Sequence, residues 1–374
     1  MRLIRSLVDK IMAKILLKSA LPNHEAINRF RQQKNKTWMI FWVRLTSDFG
    51  HFNGNPMAFP SPSTHFPPLL PLQAKVGLVA PSRWAAREDM DVFARKLAQW
   101  GFEVVIHDQC HLRDGTLAGS DAARAEALMD MFADPSIRPI FCVRGGTGAT
   151  LLLDRLDYDL IAANPKPFVG FSDITVLLNA ITARTGMVTF HGPMEWNFLP
   201  EQADERTENA LFAMIMEGED NRVLSLPDVE VDVEGVAQGP LIGGNLCMLQ
   251  TMIGTPYDWS AQDGILFFED VEEPLYKIER MLTHLRLAGK FEGVRAVLVG
   301  EMVDILDEKP DLDPAEHTIY GTSLKDIVRK HVPPEVPLAF NVPCGHGRHL
   351  MTFPVGASVA LTLQQGQSTM VVPL

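Results

Sequence analysis

Cysteine is scarce in this chain, and its four cysteines, Cys110, Cys142, Cys247 and Cys344, form no C-x-x-C pair. That spacing suggests neither a zinc site nor a disulfide framework, and it fits free thiols in a reducing cytosol. Positive charge is also in short supply, with 34 Lys and Arg against 46 Asp and Glu and a net charge of −12. A general nucleic-acid partner requires a basic face, so none is expected. No apolar run reaches the roughly 18 residues of a spanning helix, so no integral membrane segment is expected. Nor does any period of roughly 20 to 50 residues recur, which removes solenoid architectures.

What the chain does have is bulk and balance. Its 374 residues, 46% hydrophobic and 21% charged, suffice for two packed domains of a cytoplasmic globular protein. Residues 1–56 differ in kind from the rest, carrying ten Lys/Arg against three Asp/Glu, while the remainder holds 24 against 43. The opening MRLIRSLVDKIMAKILLKSALP reads as a basic amphipathic segment, suited to an anionic surface or to targeting. Six prolines between Asn55 and Pro71 then give the composition of an extended linker. We read residues 1–72 as a poorly ordered extension, or as the product of a start upstream of Met57, with the folded protein beginning near Gln73.

From Lys75 the pattern alternates. KVGLVA, FEVVI, PIFCV, PFVGF and MVTFHG read as strands, separated by helical segments such as Met90 to Trp100, which Gly101 stops, and a Ser120-capped helix through Phe132. This implies an α/β fold with a doubly wound, mostly parallel N-terminal sheet of flavodoxin-like kind over 73–200, whose ligands bind at the carboxyl ends of the strands. An acidic segment, 201–236, reads as an inter-domain linker, and 237–374 as a smaller mixed α/β domain.

The chemistry-bearing stretch is PFVGFSDITVLLNAI. Phe168 to Phe171 has strand character, whereas Ile174, Leu177, Leu178 and Ile181 follow helical spacing, so Ser172 stands at a strand-to-helix turn. A nucleophile elbow uses such a turn, although Ile174 occupies the place of the second glycine in G-x-S-x-G. An ordinary helix N-cap uses the same residues. RGGTGAT, after the third strand, lacks both P-loop and G-x-G-x-x-G spacing; its backbone N–H groups suit half of an oxyanion hole, the other half being Asp173, and a tight turn explains it equally. Glu269 ends an apolar strand as either a solvent-facing terminus or a positioned acid. His346, between two glycines, is better placed as a base than His191, His284 or His349. A metal reading of His346 and His349 is poor, because no companions stand at zinc spacing. Ser172, Glu269 and His346 follow the Ser…Glu…His order of one triad arrangement.

From about Lys75 onward the chain resembles the LD-carboxypeptidase family of serine peptidases, which includes microcin-immunity peptidases. The resemblance is carried by VGLVAPS, RGGTGAT, VGFSDITVLLNAI, TFHGPM, LIGGNLCMLQTMIGTPYD, ILFFEDVEEPLYKIERMLTHLRLAG and PCGHGRHLMTFPVGA. It implies a nucleophile at Ser172, an orienting acid at Glu269, a general base at His346, and an oxyanion hole from Gly145 or Gly146 with Asp173. It also implies no cofactor and no metal, a homodimer, and a murein tetrapeptide substrate that loses its terminal D-alanine during cytoplasmic recycling of cell wall. The alternatives are the same chemistry on a peptidyl-nucleotide amide, or a catalytically silent two-domain peptide-binding protein. Two departures stand out: Thr147 replaces the aromatic residue common in the family's glycine loop, and the N-terminal residues have no counterpart.

Overall fold

The computed structural model describes residues 63–71, 73–216, 221–226, 228–305 and 320–373. The basic opening segment and the first part of the proline-rich stretch, through residue 62, lie outside the described residues. Among the described residues, no helix is long and apolar enough to cross a membrane.

Strands and helices alternate through the first half: β1 (Lys75–Val79), α1 (Arg87–Gln99), β2 (Glu103–Ile106), α2 (Asp121–Ala133), β3 (Ile137–Cys142), α3 (Tyr158–Ala163), β4 (Phe168–Gly170), α4 (Thr175–Thr185) and β5 (Thr189–His191). The strands pair in parallel in the order β2-β1-β3-β4-β5, apolar and buried on both faces at the centre and half-exposed at the edge strand β2. The order reverses between β1 and β3, which opens a crevice at the carboxyl ends of those strands. The loop after β1, the glycine loop after β3 and Ser172 after β4 all meet at that edge.

The second half holds β6 (Asn221–Leu226), β7 (Glu230–Val233), β8 (Gly235–Asn245), β9 (Ile265–Val271), β10 (Ala296–Val303), β11 (Leu338–Val342), β12 (Phe353–Val355), β13 (Ser358–Leu363) and β14 (Ser368–Pro373). Its helices are α5 (Glu205–Ile215), α6 (Leu246–Met252), α7 (Leu275–Leu287) and α8 (Leu324–His331). Eight strands form a mixed sheet, β6-β14-β13-β8-β9-β10-β11-β7, with a parallel centre from β8 to β11.

Three features depart from the sequence reading. Segment 201–236, expected as a linker, contributes α5 and two strands of the second sheet, where Val229 and Val231 are buried among alternating acids. The chain is ordered ahead of Gln73: His65 donates its N–H to Gly186 and accepts from that of Val188, and Leu70 is fully buried. Finally β12, far along the chain, leaves the second sheet and pairs antiparallel with β5 as the sixth strand of the first.

The glycine loop is anchored from below by Arg124 on α2, a fully buried side chain. One guanidinium nitrogen donates to the carbonyls of both Pro81 and Gly148, and another donates to Asp121. A single planar cation thus joins the loop after β1 to the loop after β3. Arg124→Met keeps the volume but orphans two buried carbonyls, and should cost about 3 kcal/mol of stability in urea unfolding.

Candidate active site

Ser172 follows β4 with φ at 60°, a left-handed conformation that a residue with a side chain adopts only under constraint. A 3-10 turn, Ser172–Ile174, precedes α4, which therefore begins two residues after Asp173, the helix-opening residue of the sequence reading. The turn closes because Gly170 has no side chain: a Cβ there would lie 2.9 Å from Ile174 Cγ2 and 3.1 Å from Cys142 Cβ. Ile174, which replaces the elbow's second glycine, occupies that space.

Asp173 does more with its side chain than a helix-opening residue needs. Its buried carboxylate accepts from the Ser82 hydroxyl at 2.6 Å and from the Ala149 N–H at 2.8 Å. It therefore ties the serine turn to the loop after β1 and to the end of the glycine loop. Burial raises its pKa, against the opposing pull of those two donors and of Arg124. Only the helix-opening position of Asp173 was legible in sequence; Ser82, in VGLVAPS, gave no separate signal.

The glycine loop lies against the serine. A Cβ on Gly145 would stand 2.9 Å from Ser172 Cβ and 3.0 Å from its Oγ. Gly146, at φ 110°, passes under the Arg83 side chain, whose Cδ would be 2.1 Å from a Cβ there. A side chain at Gly145 would press on Ser172, the φ of Gly146 favours glycine, and Thr147 beside them is exposed. Arg144 at the loop's start faces the buried Glu195 at 3.6 Å. Burial pushes the Glu195 carboxyl up to about 7, with the Arg144 cation pulling the other way.

Glu269 and His346 come from the second half. Glu269 is fully buried near the end of β9, and its Oε2 accepts from His346 Nδ1 at 2.7 Å. A carboxylate can only accept, so Nδ1 carries the proton and Nε2 is left as the basic nitrogen. Burial lowers the imidazole pKa, but the charge and hydrogen bond of Glu269, reinforced by Asp270 and Glu272, outweigh it and leave it raised. The Glu269 carboxyl fits because its neighbours are glycines: a Cβ on Gly300 would lie 2.7 Å from Glu269 Cβ, and one on Gly345 3.2 Å. The His346 ring packs on Phe171, centroids 4.9 Å apart, and Phe171 immediately precedes Ser172. The structure thus gathers Ser172, Asp173, the glycine loop, Glu269 and His346 around one crevice.

The other histidines separate from this group by function or by place. His191 is buried; its Nε2 donates to the Cys344 carbonyl at 2.7 Å, steadying the backbone two residues before His346. His284 pairs with Gln250, and His349 stands near Asp204 and Thr207. Among the described residues no three His, Cys, Asp or Glu side chains gather as metal ligands would. Asp270 faces away from the histidine and accepts from Asn245 Nδ2 and the Cys247 N–H, both at 3.0 Å, while burial pushes its carboxyl up to about 7.

Two family comparisons bear on this arrangement. Residues 76–192 match the LD-carboxypeptidase N-terminal domain, and residues 238–361 match the LD-carboxypeptidase C-terminal domain. The murein tetrapeptide carboxypeptidase of Pseudomonas aeruginosa is 32% identical over 301 residues, spanning 78% of this chain and 94% of the relative. The microcin C7 self-immunity protein MccF of Escherichia coli is 27% identical over 293 residues, 71% of this chain and 83% of that protein. Among solved structures, the muramoyltetrapeptide carboxypeptidase of Oxalobacter formigenes superposes with a TM-score of 0.70 at 28% identity, over 80% of this chain and 99% of that one.

A methyl group at position 145 should push the loop off the serine, so Gly145→Ala is expected to lower kcat/KM by about 10²-fold. A second expectation concerns pH. Glu195 and Asp270 hold protons in the fold at pH values where the unfolded chain has released them, so folding stability should decline as pH rises from about 4 to about 7 and level off above. Thermal melts across that range should show this decline, and Glu195→Gln should flatten it.

Proposed function

The chain belongs to the LD-carboxypeptidase family and is a serine carboxypeptidase, a hydrolase; from that premise we propose that Ser172, His346 and Glu269 form its catalytic triad and that it releases the terminal D-alanine of murein tetrapeptides. The observation that carries the reading is the Glu269–His346 hydrogen bond at 2.7 Å, with the imidazole seated on the residue before Ser172. In this reading His346 Nε2 takes the Ser172 proton as Oγ attacks the carbonyl carbon of the L,D bond. The oxyanion formed is met by N–H groups of Gly145 or Gly146 and of Asp173. As the C–N bond breaks, His346 returns the proton to the departing D-alanine amine. Water then adds to the acyl-enzyme, giving its proton to His346, and Ser172 is regenerated with release of the shortened peptide.

The strained backbone at Ser172 supports this reading. Left-handed φ at a non-glycine residue costs roughly 1–3 kcal/mol, and such strain concentrates where a side chain must be aimed. The fully buried Glu269 supports it as well, since an acid ending a strand as a mere solvent-facing terminus would be exposed. Recycling of cell wall would place the substrate in the cytoplasm, and the family resemblance implies a homodimer. A second reading, the same chemistry on a peptidyl-nucleotide amide, is favoured by the similarity to the microcin self-immunity protein.

Mass spectrometry of murein tri- and tetrapeptides after incubation should show loss of one D-alanine, faster than turnover of an aminoacyl nucleotide. Ser172→Ala should reduce kcat by about 10⁶-fold; a variant that still releases D-alanine at the parent rate would sink the triad. Because the His346 pKa is raised above 6.5, kcat/KM should fall as pH drops through that raised value. Glu269→Gln should move this acid limb to lower pH and lower kcat by about 10⁴-fold.

A further inference from the structure

The histidine loop is held from a direction the triad does not explain. Glu301 stands on β10 directly after Gly300, where pairing of β10 with β9 shifts register between Val299 and Met302. Such an irregularity re-aims a side chain that regular alternation would turn elsewhere. Glu301 Oε2 accepts the Gly345 N–H at 3.1 Å. Its other oxygen lies against Gly347, where a Cβ would be 2.3 Å from Oε1, and its own carbonyl lies where a Cβ on Gly345 would be 2.6 Å away. One carboxyl group therefore touches both glycines that flank His346.

We propose that Glu301 is a positioning residue that brackets the Gly345-His346-Gly347 loop and sets the geometry and basicity of the imidazole. The proposal rests on the reading of His346 as general base. Two glycines leave the loop backbone free to wander, and among the described residues the His346 side chain is held through Nδ1 and its ring contact. Anchoring the backbone on one side and filling the space beside the other glycine removes that freedom. The charged groups facing Glu301 are Glu269 from β9 and His346 from the loop. Burial pushes the Glu301 carboxyl up to about 7, the Gly345 N–H pulls it down, and Glu269 pushes it up again. Ionised Glu301 adds negative charge beside the imidazole and favours its protonated form; the two groups titrate as a coupled pair.

The test compares Glu301→Gln and Glu301→Ala with the parent. Glutamine keeps an acceptor for Gly345 and removes the charge; alanine removes both. Glu301→Ala should lower kcat by about 10- to 10²-fold with KM within about twofold, and Glu301→Gln should restore kcat to within about fivefold of the parent. With glutamine the acid limb of kcat/KM should move to lower pH by roughly 0.5 unit. The His346 imidazole, followed by NMR titration without substrate, should shift in the same direction. An unchanged kcat in the alanine variant, a change confined to KM, or an unmoved His346 titration in the glutamine variant would overturn the proposal. The NMR arm needs no turnover, so it separates failure of this proposal from failure of the triad, which Ser172→Ala reports. If alanine at 301 prevents folding, the glutamine variant still decides the matter through both pH readouts.

Discussion

Helix α4 is buried on every side ahead of its last turn, where Arg184 reaches solvent, and the arrangement of the two sheets depends on that constraint. Val176, Leu177, Leu178, Ala180 and Ile181 are all fully buried, so the helix that follows Ser172 must be covered on every face. The first sheet covers part of it. The second sheet covers another part through β8: Asn179 donates to the Gly243 carbonyl at 3.0 Å, and Thr175 accepts from the Asn245 N–H at 2.9 Å. Gly244 is what permits this approach, since a Cβ there would lie 2.4 Å from Thr175 Oγ1. The serine turn is thus positioned by both halves of the molecule, and the acid and imidazole that face it are carried by the same sheet that clamps its helix.

The crevice that results is crowded with acids whose neighbours are mostly backbone donors. Asp173, Glu195, Asp270 and Glu301 are each raised above their ordinary range, chiefly by burial. Glu269 Oε1 has no hydrogen-bond partner among the described residues, so the engaged side of that carboxylate is the one turned to His346. These upward shifts reduce the charge that the buried region must hold, and Glu269 provides the largest upward pull on the imidazole.

Sequence and structure agree best where a local rule forces a local outcome. The apolar runs ending in Ser172 and Glu269 had to be buried strands, and the glycines of RGGTG and Gly345-His346-Gly347 marked backbone that approaches something closely. What the sequence hid depends on partners far along the chain. Phe353 to Val355 has nothing in its composition to show that it pairs with β5 rather than with its own neighbours. Val229 and Val231 alternate with acids, and the polar texture of 201–236 masked two edge strands whose outer faces are wet. Glu301 carries no signal of its own, because a shift of register cannot be seen in a single sequence. His191, ranked below His346 as a candidate base, instead supports the loop that carries it.

The placement of β12 also governs how the protein comes into being. Because Phe353–Val355 completes the first sheet while Ser358–Leu363, reached through a turn at Gly356, enters the second, both sheets wait for the same late stretch of chain. During synthesis the Ser172 turn emerges early, yet its sheet keeps an open edge at β5 until β12 has been made. Glu269 and His346 arrive later still than Ser172. The proposed triad therefore lacks its acid and imidazole until nearly the point at which the stretch shared by both sheets is made.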